Sequence, residues 1–140
     1  MITDPHIKIS QPYGVYLEGT KMDVSEAEDE SIWVKTQNRG KFIASSWPGD
    51  SVWVDFLNEA AQKFWQQQYG FDKFKGLTPL FDFWIDMNEP SVFNYLDGTM
   101  PSTNLHSSPK YSRSIYHGEI HNAYGQMMHK TTYEGLVERD

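Results

Sequence analysis

The 140-residue sequence contains no cysteine, so disulfides and thiolate metal sites are excluded and the redox compartment stays open. No apolar run approaches the roughly 20 residues of a membrane span. Basic residues are scarce, 12 against 19 acidic ones, for a net charge of −7. That balance argues against nucleic acid or an anionic membrane as the main partner. No GxGxxG, GxxxxGK[ST] or GxSxG pattern occurs, so nucleotide binding and serine-hydrolase chemistry have no support. The opening Met1-Ile2-Thr3-Asp4-Pro5 lacks a basic region followed by a long apolar stretch and does not read as a signal peptide. There is no internal repeat.

What is present is a core and an excess of rings. Hydrophobic residues make up 39 %, which rules out wholesale disorder. Aromatics are 15 %: five Trp, eight Tyr and eight Phe. They suit the core of a larger domain, and equally a sugar site, where an indole stacks on an apolar sugar face.

The chain opens on what reads as a strand tail, Met1-Ile2-Thr3, before Asp4-Pro5-His6. Residues 10–30 are loop-like, and the acids Glu26, Glu28, Asp29 and Glu30 suit a solvated surface. Ile32 to Lys35 and Lys41 to Ala44 read as two short strands joined by a turn over Gln37-Asn38-Arg39-Gly40. A helix is predicted from Asn58 to Tyr69, with Asn58 as its cap and Gly70 as a left-handed terminator. Its apolar face is Ala61, Phe64, Trp65 and Tyr69. Phe81 to Ile85 reads as a buried strand, and residues 94–118 as a long irregular stretch of the kind that is usually functional or disordered. A second helix runs from Glu119 to Val137 with Ile120, Tyr124, Met127, Met128 and Thr131 as its buried stripe. Gly125 and Gly135 lower its propensity.

Strand, insertion, helix, strand, loop, helix is the rhythm of βα units in a parallel sheet. The fold class is therefore α/β, a partial (β/α)8 barrel with an inserted hairpin. A complete barrel takes about 250 residues, so this is about a third to a half of one. As a single unit, 1–140 reads as an internal fragment of a catalytic barrel.

The densest chemistry lies in Trp84-Ile85-Asp86-Met87-Asn88-Glu89-Pro90-Ser91. Barrel enzymes place catalytic groups at the C-terminal ends of strands, and Asp86 falls at such an end. A strand end whose acids cap the next turn fits the residue types as well. Asp86 and Glu89 could form a glycosidase pair, which sits about 5–5.5 Å apart when configuration is retained, or one acid could position the other. His117 and His121, spaced i, i+4, could bind zinc, but Glu119 is not where HExxH needs it, so surface or capping histidines are the expectation. Trp47, in Trp47-Pro48-Gly49, is either a core plug or a sugar platform.

The segment Trp84 to Ser91 resembles the nucleophile signature of glycoside hydrolase family 31, the retaining α-glucosidases. Ile2-Thr3-Asp4-Pro5-His6-Ile7-Lys8 resembles the family's third barrel strand and its exit. Trp47-Pro48-Gly49-Asp50-Ser51 with Asp55-Phe56-Leu57-Asn58 resembles its Trp-Pro-Gly segment, and Glu119 to Gly125 the helix after the nucleophile loop. Asp-Met-Asn-Glu-Pro-Ser points to α-glucosidases rather than α-xylosidases. Asp4 to Lys8 and helix 119–136 most resemble the branch that trims glucose from N-glycans in the endoplasmic reticulum.

The resemblance implies that Asp86 is the nucleophile. Trp84, Met87, Trp47 and Ile2 would line the subsite of the cleaved glucose, and Glu89 would support Asp86. It implies an α-glucoside or glucosylated N-glycan as substrate, a regulatory β subunit as partner, the endoplasmic reticulum lumen as location, and neither metal nor cofactor. In the family the acid/base aspartate lies well downstream of the nucleophile, in a segment beyond these residues. The upstream substrate-binding aspartate and the flanking β-domains are likewise not among them. The expectation is a partial sequence, inactive alone. Its alternative is a non-catalytic sugar-binding remnant.

Overall fold

A computed structural model describes residues 2–3, 6–8, 30–46, 49–73, 78–79 and 83–139. Trp47, Phe81, Asp82 and the acids Glu26, Glu28 and Asp29 lie outside those residues.

Among the described residues the elements follow in the order β1 (Ile2–Thr3), β2 (His6–Lys8), a 3-10 turn (Glu30–Ile32), β3 (Ile43–Ser46), β4 (Gly49–Trp53), α1 (Glu59–Gln67), β5 (Trp84–Ile85), β6 (Leu105–His106), β7 (Ile115–Tyr116) and α2 (His117–Arg139). Strands β1 and β5 pair in parallel, Ile2 opposite Trp84 and Thr3 opposite Ile85, with α1 in the connection between them. This is the βα rhythm expected of a barrel. Beside it stands an antiparallel sheet ordered β2-β4-β3.

The inserted hairpin is shifted from its expected place. Its ladder is β3 against β4, Ile43 opposite Val52 through Ser46 opposite Gly49. Segment 33–35 forms only single bridges, Trp33 to Val54, and Lys35 to both Lys41 and Leu105. It shares its backbone groups among three partners and so extends no ladder of its own. The 36–40 turn does form, with the Arg39 amide donating to Thr36 O at 2.8 Å and the Thr36 amide to Gly40 O at 2.7 Å.

Helix α1 starts where its sequence says. Asn58 is extended, and its Oδ1 accepts from the amides of Ala60 (2.8 Å) and Ala61 (3.4 Å). The end differs from expectation. Gly70 is not left-handed; the helix tightens through i→i+3 bonds from the amides of Gln68, Tyr69 and Gly70 to the carbonyls of Trp65, Gln66 and Gln67. A Cβ on Gly70 would come within 2.6 Å of Asp72 Oδ1.

Helix α2 begins two residues earlier than predicted, at His117. The loop before it supplies acceptors for its first amides, Asn104 O for His117 (2.7 Å) and Ser102 O for Gly118 (2.9 Å). Glu119 Oε1 reaches back to the Tyr116 amide at 3.0 Å, the returning half of a capping box. The stretch 94–118 is less irregular than its composition suggests, because β6 and β7 pair within it.

The core lies between the β3–β4 sheet and the two helices. Trp33, Phe42, Val52, Trp53, Phe56, Trp65, Tyr69, Tyr124 and Met128 are all buried. Phe56 sits edge-on to Trp65 (5.4 Å between centroids) and to Tyr124 (5.3 Å). The two glycines that weaken α2 locally permit its contacts. A Cβ at Gly135 would lie 2.8 Å from Gln66 Cα, so the helices cross with backbones touching. Trp65 Nε1 donates to Thr132 Oγ1 at 2.9 Å across the same crossing. No helix among the described residues is long and apolar enough to cross a membrane.

Candidate active site

Strand β5 ends at Ile85 and the chain leaves it through Asp86. Met87 then takes a left-handed backbone, φ 59°, which a branchless glycine or an Asn adopts readily and Met does not. Met87 is nevertheless buried. Backbone held in such a conformation at a strand end is a feature of functional sites, because the surroundings must impose it.

The following segment is closed by its own hydrogen bonds. The Ser91 amide donates to Met87 O (3.2 Å), Thr99 Oγ1 to Pro90 O (2.6 Å), and the Val92 amide to Gly98 O (3.0 Å). Gly98 provides the left-handed turn, φ 65°. Two bonds tie this loop to β3: the Phe93 amide to Ser45 O at 2.9 Å, and the Ser45 amide to Asn94 Oδ1 at 2.9 Å. From the other side α2 presses on Asn88. A Cβ at Gly125 would come 3.0 Å from Asn88 O and 3.1 Å from Asn88 Nδ2. The loop bearing Asp86 is thus held between a sheet and a helix.

Asp86 is half-buried, and Glu89 is exposed. Among the described residues neither is given a hydrogen-bond partner, and nothing joins the two. Trp84 is 65 % exposed, so the expectation of a buried strand is corrected. Among the described residues its strand pairs with β1 alone. Ile2 stands beside Trp84 by strand register. Trp47 lies outside the described residues.

A second cluster was missed by reasoning on sequence. Asp55 Oδ1 lies 2.8 Å from His106 Nδ1, His106 Nε2 lies 3.0 Å from His117 Nδ1, and His117 Nε2 lies 2.9 Å from His121 Nδ1. Asp55, His106 and His117 are buried. The expectation that His117 is a surface or capping residue is therefore wrong. Its i, i+4 partner His121 was the visible signal, but the hydrogen bond from a distant strand residue, His106, was not. Zinc chelation by this pair has no support either, since both nitrogens of His117 face other imidazoles. No group of three or more His, Asp or Glu among the described residues is arranged to hold a metal ion. Burial, then the neighbouring His106 and His121, push His117 down to about 3.

A cleft of about 590 Å³ opens between the 95–103 segment and the first turns of α2, with Asp97, Ser102, His121 and Asn122 among its walls.

The family model for the glycosyl hydrolases family 31 TIM-barrel domain matches residues 1–140. The chain is similar to neutral alpha-glucosidase AB of Dictyostelium discoideum, 37 % identical over 139 residues, which cover 99 % of the chain and 13 % of that protein. It is 40 % identical over 139 residues to glucosidase 2 subunit alpha of Schizosaccharomyces pombe, covering 99 % of the chain and 14 % of that protein. A solved complex of ER glucosidase II, comprising a catalytic subunit and the binding domain of a regulatory subunit, matches with a TM-score of 0.82 and 37 % identity, over 99 % of this chain and 14 % of that one. The chain thus spans 13–14 % of the length of these relatives.

Proposed function

The chain belongs to glycosyl hydrolase family 31, as part of its TIM-barrel domain, and on that premise we propose that it carries the nucleophile segment of a retaining α-glucosidase. The reading rests above all on one observation. Asp86 leaves the C-terminal end of a strand paired in parallel with β1, and the next residue is held in a left-handed conformation.

In this reading an Asp86 carboxylate oxygen attacks the anomeric carbon of a terminal glucose. The bond to that carbon forms as the glycosidic bond breaks, and the leaving oxygen takes a proton from an acid/base carboxylate elsewhere in the whole protein. Water then attacks the anomeric carbon from the face the leaving group vacated, giving its proton back to the acid/base carboxylate; the bond to Asp86 breaks, which restores the carboxylate and retains configuration. Trp84, exposed beside Asp86, offers an aromatic wall to the oxocarbenium-like transition state. Met87, Trp47 and Ile2 complete the glucose subsite, and Glu89 adds negative charge three residues on.

The substrate class is an α-glucoside, here a glucosylated N-glycan in the lumen of the endoplasmic reticulum, with a regulatory β subunit as partner. Likeness to the glucosidase II complex supports these finer assignments.

The test traps the intermediate. The full-length protein is incubated with a fluorinated glucosyl fluoride, whose glycosyl-enzyme hydrolyses slowly, and its peptides are weighed. A glucosyl adduct on the peptide containing Asp86 is expected. An adduct on another carboxylate, or turnover of an α-glucoside with none, overturns the assignment. Sugar binding with neither adduct nor turnover favours the sugar-binding remnant.

A further inference from the structure

The four groups Asp55, His106, His117 and His121 form an unbranched series, and the protons in it can be counted. Asp55 is 1 % exposed and receives several donors. The Leu57 amide (3.2 Å) and His106 Nδ1 (2.8 Å) meet Oδ1, and the Ser107 amide (2.6 Å) and hydroxyl (3.3 Å) meet Oδ2. A carboxylate only accepts, so His106 Nδ1 carries a proton. Its Nε2 is then bare and accepts from His117 Nδ1, whose Nε2 in turn accepts from His121 Nδ1. Each link holds one proton, and three neutral rings supply three. His121 Nε2 is left with a lone pair.

We propose that Asp55, through His106 and His117, fixes the tautomer of His121 and holds its Nε2 as a bare hydrogen-bond acceptor at the cleft beside α2. His121 is half-buried and lines that cleft; His117 also reaches the cleft wall but is 0 % exposed, and His106 is 1 % exposed. His121 is therefore the ring of the relay most open to the outside. Burial disfavours a positive charge on the middle ring, His117.

The other ionisable groups nearby leave the links intact. Tyr124 packs against His106 (6.2 Å) and His117 (6.0 Å), but its hydroxyl donates to Val54 O at 2.9 Å. Glu119, on the same turn of α2, is paired with Arg113 at 2.7 Å. Asp97 and Tyr95 line the cleft from the opposite loop. The relay does not depend on Asp86 being the nucleophile, and its test does not read activity.

The experiment is histidine 15N NMR on the full-length protein, in which a bare ring nitrogen and a protonated one resonate far apart. The resonances are assigned with single His→Gln variants, and exposed His129 on the same helix serves as the ring outside the series. At pH 8 all three rings are expected to be protonated at Nδ1 and bare at Nε2. In Asp55→Asn the shorter Ser107 amide bond keeps the side-chain oxygen, so the Asn amide group takes the place of Oδ1, gives up the longer Leu57 amide bond, and donates to His106 Nδ1. All three rings should then reverse, giving an Nε2–H at His121. An Nε2–H tautomer in any of the three wild-type rings overturns the proposal. So does an unchanged His121 in a folded Asp55→Asn protein. If that variant does not fold, the wild-type tautomers at pH 8 decide.

Discussion

Two aspartates follow strand ends in this molecule, and they have opposite surroundings. Asp55 comes just after β4, is sealed from solvent, and is met by two backbone amides, a hydroxyl and an imidazole. Asp86 comes directly after β5 and is half-buried beside an exposed indole and a left-handed Met87. Residue type is the same, and each lies within two residues of a strand's C-terminal end. Hydrogen-bond saturation differs, and it separates holding from reacting. A carboxylate whose lone pairs are all engaged in a sealed site organises its neighbours and cannot approach a substrate. One left open at a strand end keeps a lone pair for an incoming carbon.

The comparison breaks most visibly if the two are exchanged in experiment. Asp86→Asn in the full-length protein should lower kcat on the order of 10⁴-fold, as removal of a single essential catalytic group does. Its unfolding transition should stay in place, because among the described residues no hydrogen bond holds the Asp86 side chain; a collapse of the fold instead would make Asp86 structural. Asp55→Ala should do the reverse. It leaves a buried imidazole and two amides without an acceptor, at a cost of about 3–5 kcal/mol. Hydrogen exchange at the Leu57 and Ser107 amides would report it, and unchanged protection would count against the relay.

Acid should act on the Asp55 side of the comparison first. The folded chain holds His117 at about 3, below the ordinary 6.5, mainly through burial. At pH 5 the unfolded chain therefore binds a proton that the folded one refuses. This contribution is complete above pH 6.5 and is lost as pH falls toward 3. From pH 7 to pH 5 the loss is about 2 kcal/mol. Denaturant midpoints at the two values, with His117→Gln as control, measure it; the control should flatten the difference. A smaller effect is expected at the start of α1. Asn58→Ala removes the acceptor for the Ala60 and Ala61 amides and should cost about 1 kcal/mol.

Local signals in the sequence were read well where one residue carries them. Asn58 caps its helix through its own side chain, and the face of Ala61, Trp65 and Tyr69 is buried as its spacing requires. The stripe of Tyr124, Met128 and Thr131 on α2 is equally local. The acid-rich strand exit was legible because aspartate, a turn and proline are adjacent in the chain. What could not be read was contact across sequence distance. The hairpin ladder moved to residues 43–53 because segment 33–35 bonds to Val54 and Leu105 as well as to Lys41. The relay joins positions 55, 106, 117 and 121, and only the last pair shares a helical turn. Gly125 and Gly135 looked like defects in a helix until Asn88 and Gln66 were seen against them.

Trp84 gives the sharpest remaining probe of the open site, and the smallest effect on the fold. An indole 65 % exposed has little burial left to lose. Trp84→Ala should therefore shift stability by no more than about 0.5 kcal/mol, the usual range for surface positions. A structural tryptophan such as Trp53, fully buried in the core, would cost about 3–5 kcal/mol when truncated to alanine. The same Trp84→Ala change should weaken the full-length protein on α-glucosides if Asp86 is the nucleophile, because an exposed indole can stack on the apolar face of a bound sugar. Loss of activity with stability intact assigns Trp84 to the substrate side. Loss of stability with activity per folded molecule intact would return it to the core of the whole barrel and leave Asp86 without its aromatic wall.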